Sequence, residues 1–241
     1  MARKRNQLRK IEIVRDFTKY AAGSVLIKWG DTWVLCTASV SDKVPSFLRD
    51  TGKGWVTAEY SMLPGSTLER KERDIKKLKP DARGSEIARL VGRSLRAAVD
   101  LEKLGERLIT IDCDVLQADG GTRTISISGA FVALVDAIQS IRDRLPNPER
   151  FPLRDAVAAT SVGIVDAVPM LDLCYREDSA ADVDMNVVAT REGRFVEIQG
   201  TGEGATFDAD QLAELLALAR KGVAEISALQ RDALGNAWPF A

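Results

Sequence analysis

The stretch Leu108-Ile109-Thr110-Ile111-Asp112-Cys113-Asp114-Val115-Leu116-Gln117-Ala118-Asp119-Gly120-Gly121-Thr122-Arg123-Thr124 decides how the chain is organised. Over residues 108–117 the side chains alternate, with Ile109, Ile111, Cys113 and Val115 on one side, the period of a half-buried strand. Beyond Gly120 and Gly121 the period changes. Ile127, Phe131, Leu134, Val135 and Ile138 recur at helical spacing and form a buried stripe. A strand therefore runs through a glycine pair into a helix. Adjacent glycines let backbone amides approach an oxyanion closely, and a helix start favours negative charge. Thr122 adds a hydroxyl donor, and Arg123 adds a permanent charge whose forked donors suit phosphate. Taken alone, the segment also fits an ordinary strand–helix turn with one exposed arginine.

Upstream, strands are expected over residues 10–14, 24–29, 33–40 and 54–60, with Gly30-Asp31 turning a hairpin. A charged stretch over 65–80 lacks periodicity and reads as a mobile loop. From Glu86 a helix buries Ile87, Leu90, Val91, Leu95 and Ala98, while Arg89, Arg93 and Arg96 form a solvated or subunit-facing stripe. Arg83 stands just before that helix, outside the apolar stripe. If the two helices pack side by side, Arg83 and Arg123 face one anion from two sides.

Downstream, Pro146, Pro148 and Pro152 mark a linker. Strands follow over 156–165 and 169–174, joined at Asp166-Ala167, then over 184–190 and 194–199. The last helix starts at a capping box, Asp208 with Gln211 three residues on, and buries Leu212, Leu215, Leu216, Ala219, Val223 and Ile226. Each half offers strands followed by a helix, an α+β arrangement. Two domains are expected, residues 1–145 and 155–232.

The 241 residues include no histidine, which excludes a Ser-His-Asp triad, a Cys-His pair and a His-ligated zinc site. Catalysis must use carboxylates, cations, backbone amides or a metal held by oxygen. The net charge of −1 hides an asymmetry: residues 1–110 hold 23 Lys/Arg against 14 Asp/Glu, and the remainder holds 11 against 21. The basic half suits an anionic partner and the acidic half a divalent cation, although two faces that neutralise each other across a subunit interface fit equally well. Cys36, Cys113 and Cys174 lie in apolar, strand-like stretches without metal-ligand spacing and read as reduced, buried thiols. No apolar run is long enough to span a bilayer, and the basic N-terminus lacks a secretory apolar stretch, so a cytoplasmic protein is expected.

A second constellation lies at Glu177-Asp178-Ser179-Ala180-Ala181-Asp182-Val183-Asp184. Asp178 after one strand and Asp184 at the start of the next project from neighbouring strand ends. Such a pair can hold Mg²⁺, which needs few protein ligands and binds phosphate oxygens, or one protonated aspartate can act as a general acid. A solvated acidic loop is the plain alternative.

Together these segments resemble the bacterial ribonuclease PH family. The similar stretches are Tyr20-Ala21-Ala22-Gly23-Ser24-Val25, Val34-Leu35-Cys36-Thr37-Ala38, Gly54-Trp55-Val56-Thr57-Ala58-Glu59-Tyr60, Gly92-Arg93-Ser94-Leu95-Arg96, residues 111–124, Glu177-Asp178-Ser179-Ala180-Ala181 and Glu197-Ile198-Gln199-Gly200-Thr201. They span nearly the whole chain in family order. The resemblance implies two fused ribosomal-protein-S5-domain-2-like halves, each a mixed sheet with packed helices, in a homohexameric ring built as a trimer of dimers. It implies phosphorolytic 3′→5′ trimming of tRNA precursors and other RNA 3′ ends. Inorganic phosphate is the co-substrate, nucleoside diphosphates leave, and nucleotide addition is the reverse reaction. Carried over by position, Arg83, Gly121, Thr122 and Arg123 bind the attacking phosphate. Asp178 and Asp184 are the catalytic carboxylates and the ligands of Mg²⁺ or Mn²⁺, and Arg70, Lys71 and Arg73 lie on the surface that grips the tRNA. A non-catalytic RNA-binding subunit of an exosome-like ring is the alternative, and a small-molecule kinase of S5-like architecture is disfavoured because no ATP-type glycine loop is present. The chain departs from the family pattern before Leu8-Arg9, where Arg3-Lys4-Arg5-Asn6-Gln7 replaces an Arg-x-Asp-Gly-Arg-like motif. It departs again at Gly65, where an arginine is common, and in the charged loop that follows.

Overall fold

The computed structural model describes residues 3–73 and 81–240. The strands expected over 10–14, 24–29, 33–40, 54–60 and 108–117 all form, with the hairpin at Gly30-Asp31. Strands β1 (Ile11–Arg15), β2 (Gly23–Trp29), β3 (Thr32–Ser41), β4 (Trp55–Met62) and β5 (Leu108–Gln117) form one sheet in the order β1-β2-β3-β5-β4. All neighbours are antiparallel except β4 and β5, which run parallel and are joined through helix α1 (Ala82–Ala98) and the single turn α2 (Leu101–Leu104). Parallel neighbours need such a crossover.

The second sheet, β6 (Val157–Val165), β7 (Val168–Leu171), β8 (Val183–Thr190) and β9 (Phe195–Gly202), runs β7-β6-β8-β9. It is antiparallel throughout, which corrects the expectation of a mixed sheet in each half. Its strands follow one another through short turns and one turn of helix, so no crossover is available to make a parallel pair. Asp166 and Ala167 both take left-handed backbone angles, as a tight hairpin between β6 and β7 requires.

Apart from Arg123, helix α3 (Thr122–Ser140) is buried all round from Thr122 to Ile138, not along one stripe. It packs on β2 and β3 of the first sheet and on β6 of the second, so no face is left for solvent. Helix α5 (Ala209–Leu234) begins at the expected cap, with Asp208 accepting from Gln211 N at 2.8 Å. It covers the second sheet with Leu215, Ala219, Val223 and Ile226. Near its end Gln230 Nε2 donates to Ser128 O and to Val157 O, bonding α3 and β6 at once. One apolar core joins residues of both sheets, from Trp29 and Phe131 to Ala158, Val188 and Ile226.

The strand expected over 169–174 ends at Leu171, because Asp172 takes a left-handed φ of 61° and Cys174 caps a short helix, α4 (Tyr175–Asp178). Cys174 is therefore half-exposed at a helix cap, whereas Cys36 and Cys113 are buried on adjacent strands. Residues 65–73 form no regular element, and the rest of the charged loop, 74–80, lies outside the described residues.

Candidate active site

Gly120 and Gly121 both take left-handed angles, and Gly121 caps α3. A side chain on Gly120 would lie 2.7 Å from Leu173 O and 2.8 Å from Tyr175 N, so the turn rests directly on the backbone that starts α4. Thr32 fixes it from the other side: its hydroxyl donates to Gly120 O (2.8 Å) and accepts from Asp119 N (2.8 Å). The glycine pair of the first half thus meets the aspartate helix of the second.

Arg123, in the first turn of α3, donates through Nη1 to Gln199 Oε1 of β9 at 3.1 Å and lies 3.4 Å from Glu86 Oε1 of α1. Thr122 is buried and accepts a hydrogen bond from Tyr60 Oη at 2.9 Å. That bond leaves the Thr122 proton available to a ligand. Arg83 is exposed in the first turn of α1, and its side chain makes no hydrogen bond or ion pair among the described residues. α1 and α3 do pack together, the condition for two arginines to serve one anion.

Asp178 ends α4 and Asp184 sits in β8 opposite Gly163 and Thr201. Burial pushes the Asp184 carboxyl up to about 6, Asp178 adds to the rise, and Arg123 and Arg83 oppose it. Burial raises Asp178 as well, again against Arg83 and Arg123. Both arginines and both aspartates therefore share one electrostatic neighbourhood. Asp184 Oδ1 is buried without a hydrogen-bond partner among the described residues. A buried, unsatisfied carboxylate oxygen beside a second carboxylate fits a hard divalent cation. No group of three or more Asp, Glu or Cys residues able to hold a metal occurs among the described residues.

The expected surface arginines divide. Arg93 forms a two-pronged ion pair with Glu197 of β9, and Arg96 lies over the Trp55 ring at 4.4 Å while donating to Val56 O. The stripe on α1 is therefore partly internal, tying α1 to both sheets. Of the loop residues Arg70, Lys71 and Arg73, the two arginines are exposed, while Lys71 Nζ is bound to Asp81 at 2.7 Å. The N-terminal arginines are engaged too: Arg3 pairs with Glu177 (2.6 Å), and Arg5 donates to Val165 O (2.9 Å).

Sequence reading missed Tyr60, Gln199 and Glu203, the last of which also raises both aspartates. It missed Arg9 and Asp172 as well. Asp172 accepts from Arg9 N, from the Arg9 guanidinium and from Trp29 Nε1, all in the interior. A charge flanked by apolar strand residues, as in Met170-Leu171-Asp172-Leu173, is the signal that marked it.

No helix of the described residues is long and apolar enough to cross a membrane. Two family models match: 3′ exoribonuclease family, domain 1, over residues 7–138, and domain 2 over residues 155–222. Among solved structures, the Archaeoglobus fulgidus exosome with RNA bound to the active site is 25% identical over 94% of this chain and 90% of that chain, with a TM-score of 0.79. An archaeal exosome core is 25% identical over 95% and 88%, with a TM-score of 0.74. Rice (Oryza sativa) Rrp46 shares the fold, with 18% identity over 96% and 98% and a TM-score of 0.77. With both family models matched in order along most of its length, this chain belongs to the 3′ exoribonuclease family.

Proposed function

We propose that the chain is a phosphorolytic 3′→5′ exoribonuclease of the ribonuclease PH type that trims 3′ extensions of tRNA precursors. The observation that carries this reading is the meeting of Arg123 and the Gly120-Gly121 turn with the Asp178–Asp184 pair, whose carboxyls burial raises and the arginines draw back down. A phosphate held by the Gly121 region, Thr122, Arg123 and Arg83 would stand beside the two carboxylates. An oxygen of that phosphate attacks the last phosphodiester phosphorus, the bond to the 3′-oxygen breaks, and the shortened RNA keeps a 3′-hydroxyl. The product carrying the new bond is a nucleoside diphosphate, and the reverse reaction adds nucleotides. Positioning and charge neutralisation supply most of the catalysis in such a displacement. Without a bound cation, a protonated Asp184, its carboxyl pushed up to about 6, can deliver a proton to the departing 3′-oxygen; with a cation bound, both carboxylates are ionised and serve as its ligands. Asp178 and Asp184 would hold Mg²⁺ or Mn²⁺, which when bound neutralises charge on the phosphate oxygens. RNA as the polymer is supported by the archaeal exosome, which holds RNA in its active site. Assembly as a hexameric ring is part of the same reading. Release of diphosphates from a 3′-extended tRNA, dependent on phosphate and Mg²⁺, tests it.

The likeness to exosome core structures favours a second reading, a ring subunit that binds RNA without cleaving it. Tight RNA binding by purified protein with no turnover under the same conditions would select it.

A further inference from the structure

We infer that Arg9 is a positioning residue that couples the phosphate-binding turn to the helix carrying Asp178, so that both halves of the site move as one. The inference rests on the function proposed above and adds a residue to it.

Arg9 reaches in two directions. Its Nη2 and Nε donate to Asp172 Oδ1 at 2.7 and 3.1 Å, and its backbone N donates to Asp172 Oδ2 at 2.6 Å. Its remaining arm, Nη1, donates to Asp119 O at 2.6 Å and lies 3.8 Å from Asp119 Oδ2. The side chains of Arg9 and Asp172 are 8% and 3% exposed, so water cannot substitute for these bonds.

Each end is close to the chemistry. Asp119 immediately precedes the glycine pair, and Arg9 Nη2 is the nearest atom to a side chain built on Gly121, at 3.2 Å. Asp172 lies three residues before α4, and its left-handed φ turns the chain out of β7 toward Tyr175. For a residue other than glycine that backbone is strained and persists only where its surroundings enforce it. Here the enforcing partners are the Arg9 fork and Trp29 Nε1 at 2.7 Å. The circuit closes through Asp119, whose Oδ1 accepts from Tyr175 N at 3.2 Å. Residues just before Arg9 clasp the same helix, since Glu177 Oε2 accepts from Arg3 and from Cys174 N. Lysine has one point charge and no fork, so it cannot hold Asp172 and Asp119 O together.

The test is Arg9→Lys in the full chain, read by amide hydrogen exchange and by phosphate kinetics. Exchange is expected to quicken at 119–123 and 173–178 and to stay unchanged in α5. The KM for phosphate should rise roughly tenfold or more, with kcat lowered as well. Exchange at both segments equal to wild type, or quickened equally along α5, overturns the inference. If Arg9→Lys fails to fold, the pair Arg9→Met with Asp172→Asn leaves no buried unpaired charge and is read the same way. If the wild type releases no diphosphates, the phosphorolytic reading fails, while the exchange pattern still decides the coupling.

Discussion

Arg123 and Asp184 bear opposite signs on one problem, how to hold an anion next to carboxylates. A charge-assisted contact is worth about 1.5–3 kcal/mol. Arg123→Ala should therefore lower kcat/KM for phosphate roughly 10- to 100-fold, while unchanged phosphate saturation would remove Arg123 from the site. For Asp184 the sign follows from burial. Its folded carboxyl titrates near 6, above the ordinary value of 3.8, so the folded state binds its proton more tightly than the unfolded chain does. Without divalent metal, the cost of the charged form is largest above about pH 6 and fades as pH falls toward 4. Asp184→Asn should melt several degrees above wild type at pH 7.5, and the gap should narrow steadily as pH falls toward 4. A gap that widens on acidification contradicts the buried-charge account. These residues were legible because Gly-Gly-Thr-Arg and the spaced aspartates stand out as motifs. Arg9, Tyr60 and Gln199 were not, since their partners are 110, 62 and 76 residues away.

At the scale of elements, the strand and helix periods predicted most of what forms, including β5 to the residue and the Asp208 cap of α5. They failed where tertiary contacts override local pattern. α4 is a single turn set by the Asp172 kink and its Cys174–Glu177 cap, too short to show a period. α3 lost its expected one-sided stripe because it lies between two sheets. Only the three-dimensional arrangement shows that the Gly120 turn abuts α4. Gly120→Ala places a side chain 2.7 Å from Leu173 O at a φ of 77°. A left-handed residue with a side chain costs about 1–2 kcal/mol before any clash. A chain of this size loses roughly 2–4 °C per kcal/mol. The variant should therefore melt at least about 2 °C lower and lose phosphate-dependent turnover; wild-type melting and kinetics would contradict the packing of turn on helix.

Across the whole molecule, two similar halves share one apolar core, with α3 between the sheets and Gln230 bonded to both halves. Urea unfolding should be a single transition by fluorescence and by circular dichroism. Two separated transitions would mean that the halves hold together less tightly than this core implies. The charge asymmetry along the chain was visible in composition, yet the structure spends part of the basic excess internally, on Glu177, Asp172, Asp136 and Glu197. The central claim is the reaction, and its products test it most directly. A tRNA with a 3′ extension, incubated with the protein, inorganic phosphate and Mg²⁺, should yield nucleoside 5′-diphosphates and none when phosphate is withheld. Nucleoside monophosphates released in phosphate-free buffer would contradict the account.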